Sequence, residues 1–222
     1  VLITAFYHLI LFVQHREDKA SLVFALFCLS IAARQWIMAR FSHALGIGNT
    51  TEGYELILAL EYMTMPMVAL TTTLYISVLV PSRLIKHFTL IWCAGLGAPL
   101  ILFCLLEDSL TVSKNLLAFQ IHIFVPIVVL LVHLIVHTYK ENVYARQALL
   151  AFTLMAIGGV NDMLKAHGYV EGPFVGPYTF IAFVLLQSGI LSGKLAWALH
   201  TVMDLSLNLQ KKVDIQTQSL KE

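Results

Sequence analysis

Long apolar runs separated by short polar stretches divide the chain into seven segments, 1–13, 20–41, 54–80, 88–106, 116–139, 145–166 and 175–199. An α-helix needs about 20 residues to cross the hydrocarbon core of a bilayer, and six of the segments meet that length. Segment 1–13 is too short to span alone and, opening in mid-hydrophobic sequence, is expected to be the inner part of a helix that begins before Val1. Strands are excluded because barrel strands alternate apolar and polar residues, whereas these runs are continuously apolar. The pattern predicts an all-α, polytopic seven-helix bundle.

The pattern changes after Leu199. There is no Pro or Gly from there to Glu222. A 3,4 spacing selects Leu199, Val202, Ser206, Leu209, Val213, Gln216 and Leu220, a heptad seam in phase with the last segment. A narrow apolar stripe on a polar helix has no soluble core here to bury against, so it is expected to pair with its copy as a homodimeric coiled coil. A helix lying on the membrane surface is the alternative. The chain therefore divides into a transmembrane domain, 1–199, and the start of a helix that leaves the bundle, 200–222; a continuous helix out of a bundle transmits motion, so the expected layout is that of a sensor domain feeding a cytoplasmic signalling helix.

Composition reinforces the membrane assignment. Of 222 residues 59% are hydrophobic and 12% charged, against about 25% charged in soluble domains, and the mean hydropathy is +0.80. A disordered tail, a nucleic-acid binder and a cytosolic enzyme are excluded. The 14 basic and 13 acidic residues leave no polyanion-binding excess. No nucleic-acid partner is expected, and the first partner is the bilayer.

The placement of the charges sets the orientation. Arg16 and Lys19, Arg83 and Lys86, Lys140 and Arg146, and Lys211, Lys212 and Lys221 fall on one side of the alternating topology. The other side, 42–53, 107–115 and 167–174, carries only Lys114, with Arg40 and Lys165 just inside helix ends. Basic loops stay in the cytoplasm, so the N-terminus is expected outside and the C-terminus inside.

Ionisable groups within a bilayer mark function or a structural pair, and here they form a layer. At 1.5 Å per residue, Arg34 and Glu61 each lie about 10 Å inward from the outer ends of their helices. Gln120, His122, Asn161 and Asp162 fall in the same outer half, and Gln187 nearer the middle. One reading is an Arg34–Glu61 ion pair with amide hydrogen bonds that lock the bundle. The other is a ligand pocket open to the outside.

Other residue patterns carry less. His133 and His137, at i and i+4, share a helix face that could hold a metal or haem edge. His8 and His200 offer no partner at matching depth, so no metal and no cofactor is expected. Lys194 sits in the last turns before the tail, where it would snorkel to water, which argues against a retinal linkage. Gly189 and Gly193 form a small-xxx-small pair for close helix packing, within the bundle or against a second copy. Cys28, Cys93 and Cys104 are expected as small buried hydrophobes. Pro66, Pro99 and Pro126 are expected to bend their helices. No nucleophile with a base partner, phosphate loop or zinc-protease motif points to catalysis in this chain.

Four stretches, in this order, resemble the bacterial seven-transmembrane receptors with diverse intracellular signalling modules: Tyr7-His-Leu with the turn to Lys19 and Leu22-Val-Phe-Ala-Leu-Phe; Leu60-Glu-Tyr-Met leading to Leu79-Val-Pro-Ser-Arg; Asn161-Asp-Met-Leu; and Leu186-Gln-Ser before the tail. The resemblance implies a multi-pass receptor of the bacterial inner membrane. It also implies a periplasmic domain or small ligand outside, and an attached kinase or cyclase-type effector after Glu222. A transporter or channel and a haem or metal redox protein are the rivals; the first lacks the interrupted, repeated helices of such folds.

Overall fold

The computed structural model describes residues 1–38 and 50–219. The expected positions of Arg40 and Leu220, and most of the first outer loop, lie outside the described residues. Among those described, every regular element is helical: α1 (Leu2–Gln14), α2 (Lys19–Met38), α3 (Thr51–Leu79), α4 (Arg83–Phe88), a π-helical stretch Thr89–Leu96, α5 (Gly97–Leu106), α6 (Ser109–Lys114), α7 (Leu116–Tyr139), α8 (Val143–Ala166) and α9 (Gly176–Ser219). Six helical spans are long and apolar enough to cross a membrane, Arg83–Leu106 counting as one. α1, with 13 residues, covers about 20 Å.

Local chemistry explains several boundaries. The Thr50 hydroxyl accepts the Gly53 amide at the start of α3 (3.1 Å), and Asn142 Oδ1 accepts the Ala145 amide at the start of α8 (3.0 Å). Side-chain caps of this kind satisfy amides that the first helical turn leaves free. Asp108 caps the short α6, where the Thr111 hydroxyl and amide hold its carboxyl below the usual carboxylate range.

The span Arg83–Leu106, the fourth of the expected segments, departs from expectation. It starts at Arg83, earlier than the apolar run at Phe88, and eight of its residues are π-helical. Pro99 offers no amide to the Gly95 carbonyl and its ring presses on it, which loosens the ladder just before the proline. The wider π turns absorb that disturbance.

The bundle is held by large buried side chains. Phe24, Phe27 and Ile31 of α2, Tyr75 and Ile76 of α3, Leu130 and Leu134 of α7, Phe152 of α8 and Phe183 of α9 are all inaccessible. Phe27 meets Phe183 edge-on, ring centroids 5.3 Å apart, which closes α9 onto α2. A smaller cluster of Tyr62, Met65, Cys104, Val112 and Phe119 fills the other end. All three cysteines are free and buried. Outward-facing residues such as Leu90 and Ile91 are left exposed, as lipid contact requires. Because lipid tails are as apolar as leucine, close packing drives helix association here. The packing is close between α8 and α9, where a Cβ on Gly158 would collide with the Thr179 side chain.

Candidate functional site

A cavity of about 280 Å³ opens between α2, α3, α7, α8 and the start of α9, and Arg34, Glu61, Gln120 and Asp162 line it. Gln35, Tyr62 and Phe174 add to its wall. Four of the six residues that the sequence places in one layer thus meet around one space.

Arg34 Nη1 donates to the Thr64 hydroxyl (3.0 Å) and to the Glu61 carbonyl (3.3 Å). The guanidinium therefore hydrogen-bonds Glu61 through its main-chain carbonyl in place of the expected ion-pair contact, while the Glu61 carboxylate acts on it through its charge. The cause is local: the Thr64 hydroxyl donates back to the Glu61 carbonyl (2.6 Å), so hydroxyl and carbonyl form a double acceptor facing α2. Glu61 itself stays in the cavity wall.

Asp162 works as a cap on a neighbouring helix. Its Oδ1 accepts the Val175 amide (2.8 Å) and its Oδ2 the Gly176 amide (3.0 Å). A carboxylate there also meets the positive end of the α9 dipole. Gly176 is required by this contact, since a Cβ on it would strike the carboxylate. Asn161 supports the arrangement by donating Nδ2 to Asp162 Oδ1 (3.3 Å); it does not line the cavity. Gln120 Oε1 accepts from His167 Nε2 (2.7 Å), which ties α7 to the loop after α8.

His122 lies apart from the cavity. Its ring stacks on Trp92, centroids 6.3 Å apart and planes 9° from parallel, and the Trp92 indole N–H donates to the His122 carbonyl (3.3 Å). Its Nε2 has no hydrogen-bond partner and faces Gly97, 3.3 Å from where a Cβ would stand. His122 thus packs against the span Arg83–Leu106.

A second polar cluster, which the sequence did not bring together, lies along α9. The Tyr75 hydroxyl donates to Gln187 Oε1 (2.8 Å), His8 Nε2 meets the Ser188 hydroxyl (2.9 Å), and the Tyr7 and Ser192 hydroxyls are 3.3 Å apart. His8, Tyr75 and Gln187 are fully buried. Phe24 sits between them, edge-on to His8 at 4.8 Å and 4.9 Å from the Tyr75 ring. These contacts link α1, α3 and α9.

The remaining candidates have plain roles. His133 Nε2 donates to the Val80 carbonyl (3.1 Å), and His137 Nδ1 lies 3.0 Å from the His133 carbonyl. Among the described residues no three His, Cys, Asp or Glu side chains are grouped to hold a metal. Lys194 Nζ lies over the Tyr144 ring, 5.4 Å from its centroid. Gly189 and Gly193 face open space where a Cβ would stand. Leu199, Val202, Leu209 and Val213 are each at least half exposed, on a helix that has left the bundle.

The family model described as 7TM diverse intracellular signalling matches residues 1–196. No curated protein and no solved structure matches the chain.

Proposed function

From the premise that this chain belongs to the 7TM diverse intracellular signalling family, we propose that it is a sensor module of the bacterial inner membrane, with its N-terminus outside and its C-terminus inside. It transmits an event at the outer cavity, or in an attached periplasmic domain, through α9 to a homodimeric cytoplasmic helix. An effector of kinase or nucleotide-cyclase type attached beyond Glu222 receives the signal.

One observation carries the proposal. α9 is a single helix of 44 residues. Its first turn is capped by Asp162 at the cavity wall, and its middle is held by Tyr75, His8 and Tyr7. Beyond Ala196 it runs on for about 35 Å, and the side chains described there are exposed apart from the half-buried Thr201. A helix stiff along its length moves as a unit, so a small shift at the capped end reaches the free end. Orientation rests on the basic side formed by Arg16, Lys19, Arg83, Lys86, Lys140, Arg146, Lys211 and Lys212. Dimerisation rests on the apolar seam positions Leu199, Val202, Leu209 and Val213, each at least half exposed.

The test is topological. In right-side-out and inverted vesicles, Lys211 is expected to react with an impermeant amine reagent only from the cytoplasmic side. Single cysteines at Val202, Leu209 and Val213, with the three native cysteines replaced, are expected to form disulfides between copies, because seam positions of a parallel pair bring Cα atoms within about 7 Å. Cysteines at Leu207 and Asn208 are expected to react poorly. Labelling of Lys211 from outside, or disulfides formed without regard to position, would contradict the reading.

A further inference from the structure

The face of α9 opposite the seam carries a groove of about 520 Å³ between that helix and the start of α8. Its floor is the bare backbone of Gly189 and Gly193. Its polar walls are Asn142, Gln147, Tyr144 and Lys194, with Trp197 at its end. Lys194 is the one charged residue in the lining, and no carboxylate lines the groove. Beside it, at the same end of α8, Lys140 and Arg146 outnumber Glu141.

Depth and direction select the occupant. Lys194 and Trp197 stand at the level of the basic loops, where tryptophan and lysine mark the boundary between lipid and water. From Lys194 the glycine floor runs back toward the bilayer centre. At 100° per residue, the groove face of α9 is centred about 160° around the helix from Leu199, Val202, Leu209 and Val213. The groove therefore faces away from the seam, and a second copy presenting the same face would meet Lys194 with no carboxylate in the groove lining.

We propose that the groove binds an anionic phospholipid of the leaflet on the basic side. Its phosphate rests on Lys194, with the side-chain amides of Asn142 and Gln147 as further donors, and one acyl chain lies along Gly189 and Gly193. The assignment to the cytoplasmic leaflet rests on the orientation proposed above; the lipid preference itself does not.

The experiment uses the chain in symmetric bilayer nanodiscs, with Trp36→Phe and Trp92→Phe leaving Trp197 as sole reporter. Brominated phosphatidylglycerol is expected to associate with Trp197 about fivefold more strongly than brominated phosphatidylcholine, the preference that one interfacial cation supplies. Lys194→Gln is expected to reduce that ratio to near one while the helix content by circular dichroism stays unchanged. Because Trp92→Phe removes a hydrogen bond, native mass spectrometry of the otherwise unaltered chain provides the second measurement: retained phosphatidylglycerol is expected to fall with Lys194→Gln. Equal quenching by both lipids, a preference that survives Lys194→Gln, or its loss on adding inorganic phosphate would overturn the proposal. So would shielding of Trp197 from both lipids, which would identify a second copy as the occupant. A symmetric bilayer keeps this outcome separate from the Lys211 test, so either can fail alone.

Discussion

Replacing Gly158 by leucine is expected to force α9 away from α8 and to destabilise the bundle by about 3 kcal/mol, the upper end of the range for overpacking a close-packed contact. The hydrogen at Gly158 is what lets the Thr179 side chain lie against the α8 backbone; a Cβ would overlap its Oγ1, Cβ and Cγ2. Thr179 cannot swing aside freely, because its hydroxyl donates to the Gly176 carbonyl (3.0 Å) in the first turn of α9. Unfolding in mixed micelles, followed by circular dichroism, measures the loss. Thr179→Gly is expected to recover part of it, since the two positions form one contact and their effects should not add. If Gly158→Leu were neutral, the close approach of α8 and α9 would be wrong.

Asp162→Ala is expected to cost about 2–3 kcal/mol, the combined loss of a helix cap and of hydrogen bonds to a charged acceptor. Asp162 accepts the amides of both Val175 and Gly176, so its loss leaves two donors of the first turn without their acceptor. Asp162→Asn keeps one acceptor oxygen and is expected to lose roughly half as much. Glu61→Gln is the comparison: it keeps the main-chain carbonyl that Arg34 contacts and removes only the carboxylate charge that acts on the buried guanidinium, so it is expected to cost about 1 kcal/mol, less than Asp162→Ala. A loss from Glu61→Gln as large as that from Asp162→Ala would restore the carboxylate pair in place of the main-chain contact.

These two sites also show what the sequence discloses. The spans are legible because length and continuous apolarity are one-dimensional properties, and the tail because a 3,4 spacing is. Depth along a helix is legible from residue counts, which is why Arg34, Glu61, Gln120 and Asp162 were placed together. The direction a side chain faces is not. His122 shares their depth and turns toward Trp92.

Thr64 was missed because threonine in an apolar helix ordinarily bonds its own backbone, as Thr71, Thr72 and Thr73 do. Only the arrival of Arg34 gives its hydroxyl a second use. His8 and Ser188 are 180 positions apart, and no periodicity links two helices. The role of Asp162 left a trace in what is missing: Val175-Gly-Pro opens a long helix with no Ser, Thr, Asp or Asn at the cap, so the acceptor had to come from elsewhere. The π-helical stretch left none, because its apolar residues would suit an α-helix equally well.

The central claim of the proposal is that the cavity lined by Arg34, Glu61, Gln120 and Asp162 and the apolar stripe of the tail are two ends of one element. With a single cysteine at Val202 and the native cysteines replaced, the rate of disulfide formation between copies reports the seam directly. Arg34→Met removes the bond to Thr64 and the Glu61 carbonyl, and Gln187→Leu removes the grip of Tyr75 on α9. Each is expected to change that rate at least fivefold, the low end of coupling between distant sites, while Arg34→Lys changes it less. An unchanged rate in both folded variants would mean that the cavity and the tail are mechanically independent.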